Sequence, residues 1–197
     1  MRKFIVIAFV LFIGIKSEAQ VRVSPGLRGG LNLSTLTNID DNNSKTDFYV
    51  GGLVDIRFNK FFSLQPEITY SRQGDEGREY FNDGSYRYIN YELNYITFGA
   101  VAKFNFNGGG FHLLAGPSLD LKVGDNYINS SPEDFDLAIV GGIGYTLPNG
   151  LTFEARIKQG LVDIYGYDYY NNDGYYTDDA ILNQVFQIGI SYKFKTK

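Results

Sequence analysis

The sequence predicts an all-β fold, an eight-stranded antiparallel up-and-down transmembrane β-barrel, from two observations. Apolar and polar residues alternate along eight separate stretches, which is the period of a strand with one dry face and one wet face. The segments between these stretches are alternately long and short. In an up-and-down barrel successive joins fall on opposite rims, so one rim has long loops and the other short turns. This asymmetry is typical of membrane barrels with short periplasmic turns and long extracellular loops.

The joins define the strands in order along the chain. The four long joins are predicted at residues 34–47, 73–87, 123–134 and 161–181. The three short joins are predicted at Asn59-Lys60, at residues 107–110 and at Pro148-Asn149-Gly150. Pro66 and Pro117 fall inside the third and fifth strands. Because proline donates no ladder hydrogen bond, we expect a β-bulge at each of them.

The apolar face of every strand is expected to face lipid. In the last strand this face contains Leu182, Phe186, Ile188, Ile190, Tyr192 and Phe194, and the third and seventh strands alternate in the same way. A soluble barrel with an apolar interior would show the same alternation. The loop asymmetry, an export signal and aromatic residues at the strand ends favour the membrane barrel.

The first 19 residues predict a signal peptide that is cleaved before Gln20. Arg2 and Lys3 precede an apolar run over residues 4–15, and Ser17-Glu18-Ala19 places small residues at the two positions that a signal peptidase reads. The alternative is a retained anchor, but the run is too short to span a bilayer as a helix. Residues 20–197 are then one outer-membrane β-barrel domain.

Composition excludes several classes of protein. The chain has no cysteine, so it contains neither a disulfide framework nor a lipid-modified cysteine. Its formal net charge is −4, which gives no basic surface for nucleic acid.

Five segments resemble the PorT-like outer-membrane β-barrel family: residues 29–34 (GGLNLS), 64–74 (LQPEITYSRQG), 113–118 (LLAGPS), 148–151 (PNGL) and 187–194 (QIGISYKF). The resemblance extends from about Val23 to Phe194. It implies the barrel fold and an outer-membrane location, and it implies no particular chemistry. Phe194 resembles the aromatic end of a last strand that the outer-membrane assembly machinery recognises, although Lys195-Thr196-Lys197 follow it.

Many inward positions are charged. The cations are Arg28, Arg57, Lys103, Lys122, Arg156, Lys158 and Lys193, and the anions are Asp55, Glu67, Asp120, Asp136 and Glu154. An eight-stranded barrel is just wide enough for its inward side chains to fill it. Because unpaired charges in so narrow a lumen are costly, we expect a hydrogen-bonded network that plugs it. The alternative is a continuous wet path through a narrow solute or ion channel.

No catalytic, cofactor or metal site is predicted. His112 is the single histidine, and the six residues between it and Ser118 span about 20 Å along a strand, which rules out a triad by sequence alone. Oxygen ligands of the type that calcium prefers are present at residues 40–43, at Asp47 and between Asp168 and Asp179. Their spacing does not match an EF-hand, and loops of this composition are commonly turns.

The fourth long loop is rich in tyrosine, at positions 165, 167, 169, 170, 175 and 176. These rings suit contact with a surface protein or glycan, and the alternative is that they pack against one another or against lipid headgroups. We therefore predict a monomeric outer-membrane barrel with a structural or surface-interaction role and no enzymatic activity. Its expected partners are the bilayer and, during biogenesis, the assembly machinery. Alternatives are the channel, an accessory role in protein secretion and an outer-membrane enzyme.

Overall fold

The protein is described by a computed structural model that covers residues 21–38, 43–80, 85–106, 109–127, 132–165 and 180–194. The eight strands are β1 Arg22–Leu36, β2 Asn43–Arg57, β3 Phe62–Tyr80, β4 Tyr86–Asn105, β5 Phe111–Asp125, β6 Phe135–Thr146, β7 Leu151–Gly160 and β8 Asn183–Lys193. Among the described residues, no helix has the length and apolar character needed to cross a membrane.

Each strand pairs antiparallel with its neighbours in sequence, and β1 also pairs with β8, so the sheet is a closed ring. The closing seam runs in unbroken register from Gly26 opposite Lys193 to Leu36 opposite Asn183. Closure satisfies the backbone groups that an open sheet edge would leave unpaired in lipid. The predicted fold class, an eight-stranded antiparallel up-and-down barrel, is confirmed.

The outer surface of the barrel is apolar and its interior is polar. Exposed side chains on the outer face include Leu27, Leu31, Val50, Ile68, Phe98, Ile139, Ile143, Phe153, Ile157, Ile188 and Ile190. Buried side chains that point inward include Asn32, Gln65, Gln73, Asp120, Asp136, Arg156 and Lys158. The faces that alternation predicted in the third, seventh and last strands are therefore correct.

The β3–β4 hairpin is longer than the sequence indicated. The join was predicted at residues 73–87, but β3 continues to Tyr80 and β4 begins at Tyr86. Paired residues continue to Tyr80 opposite Tyr86. Outward positions in this part, such as Glu76 and Asn90, are polar, so the apolar–polar alternation that marks a membrane strand disappears while the ladder continues. We call residues 74–80 and 86–92 the β3–β4 arm.

The expected bulges at Pro66 and Pro117 are absent. Pro66 lies opposite Ala100 and Pro117 opposite Ile139 in ladders of unbroken register. The second ladder of each strand, β2–β3 for Pro66 and β4–β5 for Pro117, has no paired residue at the proline. Its register is the same before and after this gap. Each proline thus loses ladder bonding on one edge, and no extra residue is needed to accommodate it. The prediction was wrong because a missing donor does not by itself shift a strand.

Register shifts occur elsewhere, at the long-loop end of the barrel. One lies between Ser44 and Tyr49 in the β2–β3 ladder, and the other lies between Asn94 and Tyr95 in the β4–β5 ladder. Both flank the base of the β3–β4 arm. Bulges of this kind bend a strand and increase its local twist.

The assignment of faces predicts a depth-dependent cost for charges on the outer surface. Ile188 is 51% exposed and pairs with Leu31 near the middle of β8. Ile188→Lys is expected to cost about 2–4 kcal/mol of folding free energy, against about 0–1 for Val123→Lys near the end of β5, because lysine near the interface reaches water. The measurement is urea unfolding of the refolded barrel in lipid vesicles. Equal costs for the two variants would contradict the position of the membrane.

Candidate functional site

The centre of the lumen is organised around Arg156 on β7. Its guanidinium donates to both oxygens of Glu67 on β3, at 2.9 Å from Nη1 and 2.8 Å from Nη2. It also donates to Oε2 of Glu154 on its own strand, at 3.0 Å from Nε and 2.6 Å from Nη2. Two-residue spacing places Glu154 and Arg156 on the same inward face, and barrel closure brings β3 opposite them. One buried cation therefore joins two carboxylates across the lumen.

Two more cations complete this central cluster, which consists of Arg28, Glu67, Lys103, Glu154 and Arg156. Arg28 on β1 donates through Nη1 to Oε2 of Glu67, and Lys103 on β4 donates to Oε1 of Glu154. The Arg28 guanidinium lies over the ring of Tyr49, 4.7 Å from its centroid. All five charged side chains are at most 5% exposed. The sequence identified each of them as an inward charge, and the structure brings them into contact.

His112 lies beside the central cluster at the short-turn end. Its Nε2 is 3.5 Å from Oε1 of Glu154, and its Nδ1 is 3.1 Å from the carbonyl oxygen of Gly110. Among the described residues, no hydrogen bond connects His112 to Ser118, the residue considered with it in the sequence, or to Asp120 farther along β5. The arrangement provides no activated nucleophile.

A second group of polar side chains fills the lumen toward the long loops. Lys158 donates to Asp120, and Gln73 contacts the same carboxylate at 3.4 Å. A chain of amides continues from there: Asn183 donates to Gln73 at 2.5 Å, and Gln187 donates to Asn32 at 2.9 Å. The sequence predicted Lys158 and Asp120 as lumen charges and did not single out the amides. The sequence could have identified these amides by their positions, because they alternate onto the inward face of their strands.

The remaining predicted lumen charges lie apart from these groups. Lys193 is 3.5 Å from Asp55 near the short-turn end. Lys122 contacts Asp125 at 3.2 Å and Asp134 at 3.3 Å near the long-loop rim. Arg57 forms no ion pair with another described residue.

Asp136 has a different role from the other lumen carboxylates. It is buried at the start of β6, and its Oδ1 accepts the backbone N–H groups of Leu161 at 3.2 Å and Val162 at 3.1 Å. These contacts fix the start of the fourth long loop to the barrel wall.

An apolar cluster closes the lumen at the long-loop end. It contains Leu36, Leu93, Tyr95, Ile164 and Ile181, with Tyr127 and Tyr165 packed against it. We call this the apolar cap. Sequence alternation did not reveal it, because Ile164 and Ile181 lie near the two ends of the fourth long loop and not in a strand.

Loop backbone holds the apolar cap in place. The N–H of Ile164 donates to the carbonyl of Ile181 at 2.9 Å, and Glu133 donates to Ile164 at 2.7 Å. Burial raises the pKa of the Tyr127 hydroxyl, which is already protonated at pH 7, and the other side chains of the cap carry no charge. The cap is therefore an uncharged barrier across the mouth.

Two of the cavities in the described structure bear on the lumen and its rim. A small one of about 20 Å³ lies in the middle of the lumen, where Arg28, Thr97, Ser118, Arg156, Lys158 and Gln187 are among its lining residues. A second, open groove of about 460 Å³ lies at the base of the β3–β4 arm, lined by Lys45, Asp47, Arg72, Glu76, Asn90 and Glu92, among others. In the groove Arg72 contacts Asp47 at 3.3 Å and Glu92 at 2.5 Å.

Several residues considered at the level of sequence lie outside the described part of the chain. These are residues 1–20, Asp40, Asp41 and Asn42 of the first long loop, Tyr167 and residues 168–179 of the fourth, and residues 195–197. Of the six tyrosines of the fourth loop, Tyr165 is described. Within the described ranges, no group of three or more His, Cys, Asp or Glu side chains is arranged to hold a metal ion.

Phe194 follows β8 at the short-turn end of the outer face. Its ring packs edge-on against Tyr192, with centroids 5.6 Å apart, and its N–H donates to the carbonyl of Pro25 at 2.8 Å.

A closed eight-stranded barrel with an apolar exterior and a charged interior defines the class of outer-membrane β-barrel proteins. The model of the family described as "Outer membrane protein beta-barrel domain" matches residues 18–166 of this chain. The chain belongs to this family, and its place is the lipid bilayer of the outer membrane.

Solved structures of the same fold include two membrane-barrel proteins. The chain is similar to Neisserial surface protein A, with a TM-score of 0.51 and 13% identity over 89% of this chain and 99% of that one. It is also similar to Ail of Yersinia pestis, solved with the heparin analogue sucrose octasulfate, with a TM-score of 0.51 and 12% identity over 88% of this chain and 99% of that one. The search of curated proteins found no match.

Removal of the shared cation is expected to destabilise the barrel strongly. Arg156→Met leaves Glu67 and Glu154 buried with fewer partners, and breaking a buried pair in this way costs about 3–5 kcal/mol. Urea unfolding of the refolded protein measures the loss. The control is Lys193→Met, which removes a cation with one longer contact to Asp55 and is expected to cost less. Equal losses in the two variants would show that Arg156 has no special role.

Proposed function

We propose that this protein is a closed outer-membrane barrel with a structural or surface-interaction role, and that it is neither a channel nor an enzyme. The observation that carries the proposal is the bonding of Arg156 to carboxylates on opposite sides of the lumen. A channel needs its charges along a continuous wet path, whereas here they are paired across it. Passage of an ion would require these buried pairs to separate, which is costly in a narrow lumen.

Two further features support a closed lumen. The central cavity of about 20 Å³ is large enough for about one water molecule and is not a continuous passage. Toward the long loops, the apolar cap places five buried apolar side chains across the mouth. An ion that entered from this side would lose its hydration before it reached a compensating charge.

Planar-bilayer conductance of the refolded protein tests the closed lumen. The unmodified protein is expected to be electrically silent. Glu67→Ala and Arg156→Ala remove parts of the plug below the apolar cap, so both variants are expected to be silent as well. Steady channels in the unmodified protein that either substitution alters would identify a pore and overturn the proposal.

The surface role is assigned to the long-loop rim. The β3–β4 arm is regular paired structure beyond the apolar band, and its Tyr86 and Tyr88 are 52% and 45% exposed. Their rings pack edge-to-face with centroids 5.6 Å apart. Exposed tyrosine offers contact area with a polar group at its tip, which suits a surface protein or a glycan.

Labelling of single cysteines tests which rim faces outward. The chain has no native cysteine, so each variant carries one thiol. Ser85→Cys at the tip of the β3–β4 arm is expected to react with a membrane-impermeant maleimide on intact cells. Lys60→Cys in the short β2–β3 turn is expected to react only after the outer membrane is permeabilised. The reverse pattern would place the arm in the periplasm.

The same proposal has four further parts. The protein is related to the PorT-like group, and its signal peptide, residues 1–19, is cleaved to leave a mature domain over 20–197. The assembly machinery recognises Phe194, and the mature protein is a monomer. The motif segments that carry the resemblance fall largely on β1, β3, β5 and β8, and Phe194 presents an exposed aromatic ring directly after the last strand. Mass spectrometry of the mature N-terminus tests the cleavage before Gln20.

A further inference from the structure

We propose that the central lumen cavity binds a small inorganic anion, such as chloride. The first observation is the net charge of the central cluster. The central cluster contains three cations, Arg28, Lys103 and Arg156, and two carboxylates, Glu67 and Glu154. Every cation has a carboxylate partner, but the cluster as a whole carries a net charge of +1 when His112 is counted as neutral.

Neighbouring ion pairs do not supply the missing charge. Lys158 and Asp120 neutralise each other on one side, and Lys193 and Asp55 do so on the other. Asp136 lies toward the long loops, at the start of β6, where it accepts from the N–H groups of Leu161 and Val162 and, among the described residues, forms no hydrogen bond or ion pair with the central cluster. An isolated charge is costly in the interior of a narrow barrel. A bound counter-ion removes this cost.

The unsatisfied donors of the lumen identify the position of the ion. Arg28 Nε and Nη2, Ser118 Oγ and Thr97 Oγ1 are buried and have no hydrogen-bond partner among the described residues. All three side chains line the central cavity. Arg28 and Ser118 are only 6% and 5% exposed. Each of these groups donates hydrogen bonds, and a guanidinium has no acceptor.

Glu67 cannot satisfy the remaining Arg28 donors. Its Oε1 already accepts from Gln65 at 2.6 Å and from Arg156 at 2.8 Å. Its Oε2 accepts from Arg28 Nη1 and from Arg156 at 2.9 Å. Both oxygens are saturated, so the free side of the Arg28 guanidinium requires a different acceptor.

The size of the cavity selects the class of ligand. A volume of about 20 Å³ suits one water molecule or a monatomic ion of similar size. Sulfate, phosphate and carboxylates are too large. Water would satisfy the donors but would leave the charge, whereas chloride or bromide does both. The site is enclosed, so the ion is a resident of the folded barrel and does not require the barrel to be a channel.

Bromide in place of chloride provides a direct test. Crystals of the refolded protein grown in sodium bromide are expected to show an anomalous peak within hydrogen-bond distance of Arg28 Nη2 and Ser118 Oγ. An ordered water at this position without anomalous signal would overturn the proposal.

A titration in solution tests the same site at lower halide concentration. The midpoint of thermal unfolding is expected to rise saturably with bromide, by about 3 °C at about ten times the dissociation constant, at ionic strength held constant with gluconate. Stability that does not depend on halide would mean that the cluster is neutralised in another way, such as loss of a proton from Lys103, and would contradict a bound anion.

Variants separate the site from general effects of salt. Arg28→Met removes the excess charge and is expected to abolish the halide response. Ser118→Ala preserves every charge and removes one donor, so it is expected to weaken halide binding about fivefold. This variant tests the site even if Arg28→Met fails to refold. Arg57→Met removes a lumen cation that does not line the cavity and is expected to leave the response unchanged. A response unchanged in Ser118→Ala, or lost in Arg57→Met, would overturn the assignment.

Discussion

The structure depends on one constraint, which is that lipid offers the backbone no hydrogen-bond partner. Every strand that crosses the bilayer must therefore be paired on both edges, and the β1–β8 seam meets this requirement by closing the sheet into a ring. Closure also determines the two faces. Apolar side chains face lipid, and each intervening residue points into a lumen that only eight strands enclose.

The crowded interior explains why the charges form pairs. Arg156 has five N–H groups in a planar fork, which lets one side chain bridge Glu67 and Glu154, and a lysine in its place would have no such geometry. The amides of Asn32, Gln73, Asn183 and Gln187 extend the bonding where the lumen lacks charges. At the mouth the chain uses a different solution, an apolar cluster that needs no partners.

The sequence predicted those features that a two-residue period encodes. Strand number, the faces of Ile188 and Gln187, and the inward position of Glu67 and Arg156 all follow from alternation. The path of the β3–β4 arm did not, because outward polar residues such as Glu76 and Asn90 remove the apolar signal while the ladder continues. Contacts between strands distant in sequence, such as Arg28 with Glu67, depend on barrel closure, and the apolar cap depends on the fold of loop segments around Ile164 and Ile181.

The two register shifts at the base of the β3–β4 arm have a mechanical consequence. Between Ser44 and Tyr49 the β2–β3 ladder is interrupted, and at the same end the β4–β5 ladder slips between Asn94 and Tyr95. The arm is thus a regular hairpin whose ladders to β2 and β5 each change register at its base. Because a bulge bends and twists a strand, these two positions are where the arm can change its direction relative to the barrel while the unbroken ladders below keep their register.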